Sequence, residues 1–157
     1  MAEAYEEILE GETYLRSAPG SRHEKICAFL HTQVAMSVTE IPSSPLLAPR
    51  FVIQLSPGTF VRPDLALVTA ANNRLWLAAE IINSDDHRFD TVRKKSLYEE
   101  TNVPRLWMID PRYDNVEIYH GSPYGLALQQ ILALREIIAE KLLPELHISL
   151  ADLFRQK

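Results

Sequence analysis

The 157-residue sequence is poor in the residues that mark several protein classes. Its one cysteine, Cys27, cannot form an internal disulfide, which excludes the disulfide-stapled class of small secreted proteins. With 5 glycines and 46% hydrophobic residues, the chain is neither collagen-like nor disordered. Basic residues are outnumbered, 16 against 21 acidic ones, so the formal net charge is −5. This balance argues against a protein that coats DNA, but it is compatible with a nuclease whose site needs acids for a metal.

Long apolar runs are also missing. The best candidate, residues 75–82, is interrupted by Glu80 and falls short of the roughly 18 apolar residues of a membrane span. The first residues, MAEAYEEILEGE, are acidic and lack the basic-then-apolar order of a signal peptide. We therefore expect a soluble, cytoplasmic protein with no membrane partner. The length predicts one domain, residues 1–157.

Periodicity predicts an alternation of helices and strands. The elements that we expect are a hairpin turning at Gly11, a helix over 21–38 with a capping box from Ser21 to Glu24, strands at 51–55, 60–69 and 74–82, a helix over 90–101, strands at 105–109 and 116–119, and a terminal helix over 149–154. Residues 126–143 fit either a long helix or two strands. This order predicts the α/β class, with a mixed central sheet flanked by helices.

Two acids at strand ends are the first candidates for a functional site. Asp64 follows Pro63 at the start of an apolar strand, and Glu80 lies near the end of the next one, LWLAAEII. A buried acid is costly unless it is paired, protonated or bound to a metal. If the two strands are neighbours, Asp64 and Glu80 can converge on one hard cation such as Mg²⁺. Taken alone, Asp64 is also typical of a turn or strand cap, and a salt-bridge partner would satisfy Glu80.

Asp90 and Lys94 lie four residues apart on the predicted second helix and therefore share one of its faces. Such a pair alone is more often a surface ion pair worth about 0.3–0.5 kcal/mol. Cys27 lies among apolar neighbours in the first helix, which favours a buried packing role over a nucleophile. The five histidines show no zinc-like clustering.

Several short motifs occur in an order that resembles one nuclease family. They are EILEGE at 7–12, SRH at 21–23, VRPD at 61–64, EIIN at 80–83, DTVRKKSLY at 90–98 and NVPRLW at 102–107. Together they resemble, over nearly the whole chain, a restriction-endonuclease-like family of the PD-(D/E)xK nuclease superfamily that has long been catalogued as a domain of unknown function. The resemblance implies a restriction-endonuclease-like core and metal-dependent hydrolysis of DNA phosphodiester bonds.

The resemblance also implies roles for individual residues. Asp64 and Glu80 match the family's metal-binding acids and would hold Mg²⁺ or Mn²⁺, with the carbonyl of Ile81 as a further ligand. Ile82 stands where the superfamily's lysine usually does. Lys94 on the following helix is therefore expected as a migrated catalytic lysine.

Three further residues are expected to support the site. Asp90 would orient Lys94 or simply begin the helix, where an acid favours the positive helix end. Glu7 and His23 are expected at the edge of the site. The chain departs from the family pattern at Asn83-Ser84, where Ser-Pro is usual, and at Asn102, where glycine is usual. Asparagine tolerates the left-handed conformation, so the change at Asn102 is mild.

Two functions are argued from these residues, and a structural assembly subunit is neither supported nor excluded. The first is a Mg²⁺-dependent endonuclease that acts on DNA. The second is a catalytically inactive module that keeps the nuclease fold, binds DNA or a protein partner, and retains Asp64 and Glu80 as structural pairs. Nucleases that cut both strands often work as dimers, so a homodimer is compatible with the first function.

Overall fold

Eleven strands carry most of the regular structure in the computed structural model, which describes residues 3–157. They are β1 Tyr5–Leu9, β2 Glu12–Arg16, β3 Ile53–Ser56, β4 Thr59–Val61, β5 Leu65–Thr69, β6 Arg74–Ile81, β7 Arg105–Asp110, β8 Asn115–Ser122, β9 Gly125–Ala133, β10 Ile137–Glu140 and β11 Leu143–Ser149. The helices are α1 Ser21–Val38, α2 Lys95–Glu100 and α3 Leu150–Phe154, and a π-helical turn, Phe89–Lys94, leads directly into α2. Within residues 3–157, no helix is both long and apolar enough to span a bilayer.

The strands form one mixed sheet, one antiparallel sheet and a hairpin. The mixed sheet has the order β5-β6-β7-β8-β9, in which β6 and β7 are parallel and the other neighbours are antiparallel. The antiparallel sheet has the order β2-β1-β4-β3, and β10 pairs with β11. Parallel neighbours need a long crossover connection, and here the crossover from β6 to β7 carries the π-helical turn and α2. The predicted fold class is confirmed.

The mixed sheet separates two hydrophobic cores. One face packs against α1, α3 and the β10–β11 hairpin, and it includes Leu77, Ala79 and Ile81 from β6. The other face packs against α2 and the N-terminal antiparallel sheet, and it includes Ala78 and Ile82. Successive side chains of a strand point to opposite faces, so Glu80 points to the α2 side. An acid in the middle of β6 is thus placed inside a core.

The predicted strand over 60–69 is wrong. It is two strands, β4 and β5, which belong to different sheets. Pro63 lies between them, and a proline cannot donate the hydrogen bond that a central strand requires. The break places Asp64 at the point where the chain passes from one sheet to the other.

Two helix-end predictions have different outcomes. The helix begins at Ser21 as expected, but the capping box is wrong because Gly20 is the N-cap and no side chain caps the helix. Asn102 follows the last turn after α2 with a φ of 58°, in the left-handed region that was expected there. Residues 126–143 form strands, so the helical alternative is excluded.

Candidate active site

Lys94 is completely buried and makes two ion pairs with acids from two different sheets. Its Nζ lies 2.6 Å from Oε2 of Glu80 on β6 and 2.9 Å from Oε2 of Glu7 on β1. Lys94 is 0% exposed and Asp90 is 1% exposed. The alternative of a surface Asp90–Lys94 pair is therefore wrong. Glu7, which the sequence placed at the site's edge, contacts Lys94 directly.

Asp90 is held by an arginine that the sequence did not single out. Arg16, at the end of β2, donates from Nη2 to Oδ1 of Asp90 at 2.9 Å and from Nε to Oδ2 of Asp86 at 2.8 Å. Its Nη1 donates to Glu7, and its guanidinium lies 4.2 Å from the ring centroid of Phe89. Arg16 therefore ties the N-terminal hairpin to the π-helical turn that carries Lys94. A strand-end arginine has no local sequence signal for this role.

Tyr98 is a second residue of the site that was not among those predicted from the sequence. It lies one turn beyond Lys94 on α2, is fully buried, and donates its hydroxyl proton to Oε2 of Glu80. The signal was present in the sequence, because Tyr98 closes the motif that begins at Asp90. Lys94 and Tyr98 thus approach the same carboxylate oxygen from one helix.

Asp64 directly precedes β5. Leu65, the first residue of β5, pairs with Ala79, so Asp64 lies beside the end of β6 that carries Glu80 and Ile81. Oδ2 of Asp64 accepts a hydrogen bond from the Ile81 amide at 2.8 Å. The predicted acids are therefore cross-strand neighbours.

The backbone of Asp64 is fixed by two side chains of α1. The carbonyl oxygen lies 2.7 Å from Nε2 of His31 and 3.6 Å from Sγ of Cys27. Cys27 is 2% exposed, and burial raises the pKa of its thiol to about 12. The prediction that Cys27 has a packing role and is not a nucleophile is consistent with both observations.

His23 reaches the same strand end from the first turn of α1. Its Nε2 lies 3.0 Å from the Ile81 carbonyl oxygen and 3.5 Å from Oδ2 of Asp64. Because a carbonyl only accepts, Nε2 carries a proton when it bonds to Ile81. Burial disfavours the charged imidazole, but the hydrogen bond with Asp64 outweighs it and raises the pKa of His23.

The two neighbouring acids are shifted in opposite directions. Burial raises the pKa of Glu80 to about 8, since the nearby charges of Asp90 and Asp64 add to it and Lys94 only partly offsets it. Burial also acts on Asp64, but hydrogen bonds from His23 and the Ile81 amide outweigh it and lower the pKa of Asp64 to about 2. The surroundings of Asp64 thus favour its ionised form, whereas those of Glu80 favour the protonated form.

The balance of buried charges around Lys94 accounts for the raised pKa of Glu80. Three buried carboxylates, Glu7, Glu80 and Asp90, surround two buried cations, Arg16 and Lys94. Each acid contacts a cation, but the acids outnumber the cations by one, and a low-dielectric interior penalises that excess charge strongly. Burial disfavours the charged ammonium, but Glu7 and Glu80 raise the pKa of Lys94 well above its ordinary value. The excess must be met by a proton or by an added cation.

The donor set fits a magnesium ion in its chemistry. Asp64, Glu80 and the carbonyl of Ile81 offer oxygen atoms, which Mg²⁺ prefers, and Mg²⁺ commonly uses one or two carboxylates with several waters. Within residues 3–157, no group of three or more His, Cys, Asp or Glu side chains is arranged to hold a metal. Any metal would therefore rest on this pair of acids, with water completing its shell.

Two grooves border the site from the side of α1. One, of about 520 Å³, is lined by the start of α1, by residues 82–85 after β6, and by Pro111 and Arg112. The other, of about 890 Å³, is lined by residues 18–28 of the same region and by Arg50. His23 lines the first groove and Arg50 the second, and both contact Asp64. One side chain therefore separates Asp64 from each groove.

The fold matches that of a solved structure. A crystal structure titled a putative nuclease belonging to DUF820, from Anabaena variabilis ATCC 29413, matches with a TM-score of 0.79 and 16% identity over 96% of this chain and 90% of that chain. A DrdV–DNA complex matches at a TM-score of 0.39 and 18% identity over 71% of this chain and 11% of that one, too low to show a common fold. No curated protein matches the chain.

The chain therefore has the fold of the DUF820 nuclease structure, with a buried cluster of acids and a lysine on its mixed sheet. The family model for Uma2, described as "Putative restriction endonuclease", matches residues 2–151. The chain belongs to the Uma2 family. The family predicted from the sequence motifs is confirmed.

Proposed function

We propose that this chain is a Mg²⁺-dependent endonuclease that hydrolyses DNA phosphodiester bonds, with Asp64 and Glu80 as metal ligands and Lys94 as the catalytic lysine. The observation that carries the proposal is the convergence of three residues from distant parts of the chain. Lys94 lies 2.6 Å from Glu80, and Glu80 lies across the strand pair from Asp64. Membership of the Uma2 family supports the nuclease class.

Each residue has a role that its surroundings support. The pKa of Asp64 is lowered, so it can ligate a cation without first losing a proton, and its contacts His23 and Arg50 line the grooves. Glu80 can exchange its proton for a cation. When bound, a divalent metal supplies a Lewis acid for the phosphate and lowers the pKa of a bound water. The ammonium of Lys94 stays charged throughout and stabilises negative charge that develops on the phosphate oxygens.

The proposed substrate is reached through the grooves beside α1. Arg22 and Arg112 both line the first groove and offer positive charge to phosphates without reading base sequence. Because the net charge of the chain is −5, we propose that DNA contacts only this local basic rim and not the protein surface in general. Binding is expected to weaken as salt rises.

A cleavage assay with matched variants tests the proposal. The native protein should nick supercoiled plasmid DNA with Mg²⁺ or Mn²⁺ and lose this activity with a chelator. Glu80→Gln and Asp64→Asn should abolish cleavage, and each should also abolish the metal-induced rise in melting temperature. Lys95→Ala is the control, because Lys95 points about 100° away from Lys94 on the helix.

One observation favours the second candidate, an inactive module that binds DNA or a protein. Every acid of the cluster already has a partner inside the protein, and Lys94 has no exposed surface. Such a network could serve the fold alone. Absence of cleavage on duplex DNA, single-stranded DNA and RNA, together with no thermal shift in either metal, would contradict the nuclease proposal and favour this module.

A further inference from the structure

Arg50 contacts the carboxylate oxygen of Asp64 that is not hydrogen-bonded to β6. Oδ2 of Asp64 accepts the Ile81 amide, whereas Oδ1 accepts Nη1 of Arg50 at 3.1 Å. The other guanidinium nitrogen, Nη2, donates to Oε2 of Glu24 at 2.7 Å. Arg50 is thus the guanidinium that neutralises Asp64 in this structure.

The backbone around Arg50 holds it in an uncommon conformation. Its φ is 58°, in the left-handed region that non-glycine residues seldom occupy. Its amide donates to the Pro63 carbonyl at 3.0 Å, and its own carbonyl accepts Nη1 of Arg62 at 3.2 Å. The segment is therefore fixed to the residues just before Asp64, which aims the side chain at the acid.

Arg50 differs from Lys94 in its access to solvent. Its side chain is 16% exposed and lines the groove that also includes Lys25, whereas Lys94 is 0% exposed. The guanidinium can leave Asp64 by rotating into that groove without crossing a hydrophobic core. Lys94 has no such route.

We propose that Arg50 is the counter-ion that a divalent metal displaces from Asp64. The inference rests on the proposed function, since it takes Asp64 as a metal ligand. A guanidinium and a metal cannot both contact Oδ1 without strong repulsion between like charges. Arg50 therefore sets the metal affinity of the site by competing with the metal for one oxygen, and it keeps Asp64 neutralised when no metal is bound.

Mn²⁺ binding by isothermal titration calorimetry, with thermal shift as a second readout, tests this competition. Arg50→Gln should bind Mn²⁺ about tenfold more tightly than the native protein, because a competing positive charge is gone. Its melting temperature without metal should be lower, and the rise on adding Mn²⁺ larger. If Arg50→Gln does not fold, Arg50→Met, which keeps the packing of the side-chain stem, takes its place.

Lys25→Gln is the matched control. It removes the same charge from the groove that Arg50 lines, but the Lys25 ammonium donates to the backbone carbonyl of Lys157 and not to Asp64. Its Mn²⁺ affinity should stay within about twofold of the native value, as expected for a screened, more distant charge.

The outcomes separate this inference from the proposed function. If the native protein binds Mn²⁺ and Asp64→Asn abolishes binding, but removal of Arg50 leaves the affinity unchanged or weakens it, the competition is refuted and the metal site stands. If neither the native protein nor the Arg50 variants bind Mn²⁺, both proposals are refuted. Binding that appears only when Arg50 is removed would support displacement most strongly.

Discussion

Asp64 and Glu80 are neighbours across one strand pair, yet they lie in opposite electrostatic surroundings. Asp64 lies at the sheet edge, where an amide, an imidazole and a guanidinium point at it. Glu80 lies inside the α2-side core, where two other carboxylates share two cations with it. The pKa of the first is lowered to about 2 and that of the second is raised to about 8.

The difference shows that donors, and not burial alone, decide the charge of a buried acid. Both carboxyl groups are almost completely removed from solvent. A pair of acids whose environments separate their pKa values is typical of sites that handle protons or metals. In the proposed metal site, Asp64 would bind the metal in its ionised form and Glu80 would first release a proton, so metal affinity should increase as pH rises toward 8.

The largest loss of stability is expected when the ammonium of Lys94 is removed from beside Glu80. Lys94→Ala leaves Glu7 and Glu80 without their shared cation, and breaking a buried pair costs about 3–5 kcal/mol. Chemical denaturation measures this loss. Cleavage should fall about a hundredfold or more.

The control is Lys95→Ala. It removes an ammonium that lies 4.5 Å from the centroid of the Tyr119 ring, and it should cost about 1 kcal/mol or less and leave cleavage intact. Equal loss of cleavage in both variants would indicate a general basic patch instead.

The pH dependence of metal-free stability should separate the two acids. The pKa of Glu80 is raised from 4.5 to about 8, so the folded protein keeps a proton that the unfolded chain releases, and stability should decline as pH rises between these values. The pKa of Asp64 is lowered from 3.8 to about 2, so its contribution is present above 3.8 and is lost as pH falls toward 2. Denaturation midpoints across pH 2–9 measure the decline at high pH, the upper limb, and the decline at low pH, the acid limb.

The matched control for this profile is Glu80→Gln, which mimics the protonated acid. It should flatten the upper limb and leave the acid limb unchanged. A residual decline is expected from His23, whose raised pKa contributes stability that is lost as its proton leaves. An upper limb identical to that of the native protein would contradict the protonated state of Glu80.

Neutral substitutions at the two acids should have unequal effects at pH 7. Asp64→Asn removes the charge that Arg50 and His23 approach, and it should cost about 1–3 kcal/mol. Glu80→Gln replaces a protonated acid with a neutral isostere and should cost less. Urea denaturation of both variants gives the comparison. A larger loss for Glu80→Gln would show that Glu80 is ionised in the folded protein.

The smallest effect is expected at Tyr98. Tyr98→Phe removes one hydrogen bond to Glu80 and should cost about 0.5–1.5 kcal/mol. Because the hydroxyl donates to the carboxylate, its loss should also raise the pKa of Glu80 further and move the upper stability limb to higher pH. Loss of stability without that movement would make Tyr98 a packing residue only.

Local patterns in the sequence predicted the elements that carry the site. Glu80 was identifiable because an acid interrupts an apolar strand, and Asp64 because it follows a proline at a strand start. Lys94 emerged from its spacing to Asp90 and from the family motifs. The predicted helix over 90–101 is present, although its first part is π-helical.

Long-range partners could not be predicted in the same way. Arg16 lies 74 residues from Asp90, and Arg50 lies 14 residues from Asp64 in a loop. Neither contact follows from periodicity, because each depends on how separate sheets and loops pack. The break at Pro63 was missed for a related reason. An apolar run on both sides of a proline resembles one strand until the two halves are known to pair with different neighbours.

The Arg16 contacts also determine which parts of the molecule unfold together. One guanidinium joins the first hairpin to Asp86 and Asp90, so the hairpin cannot move away from the π-helical turn without breaking both of these ion pairs. Local unfolding of the N-terminal residues is thereby coupled to loss of the turn that holds Lys94. The amides of β1 and of α2 should exchange with solvent as one cooperative unit, although more than 80 residues of chain separate them.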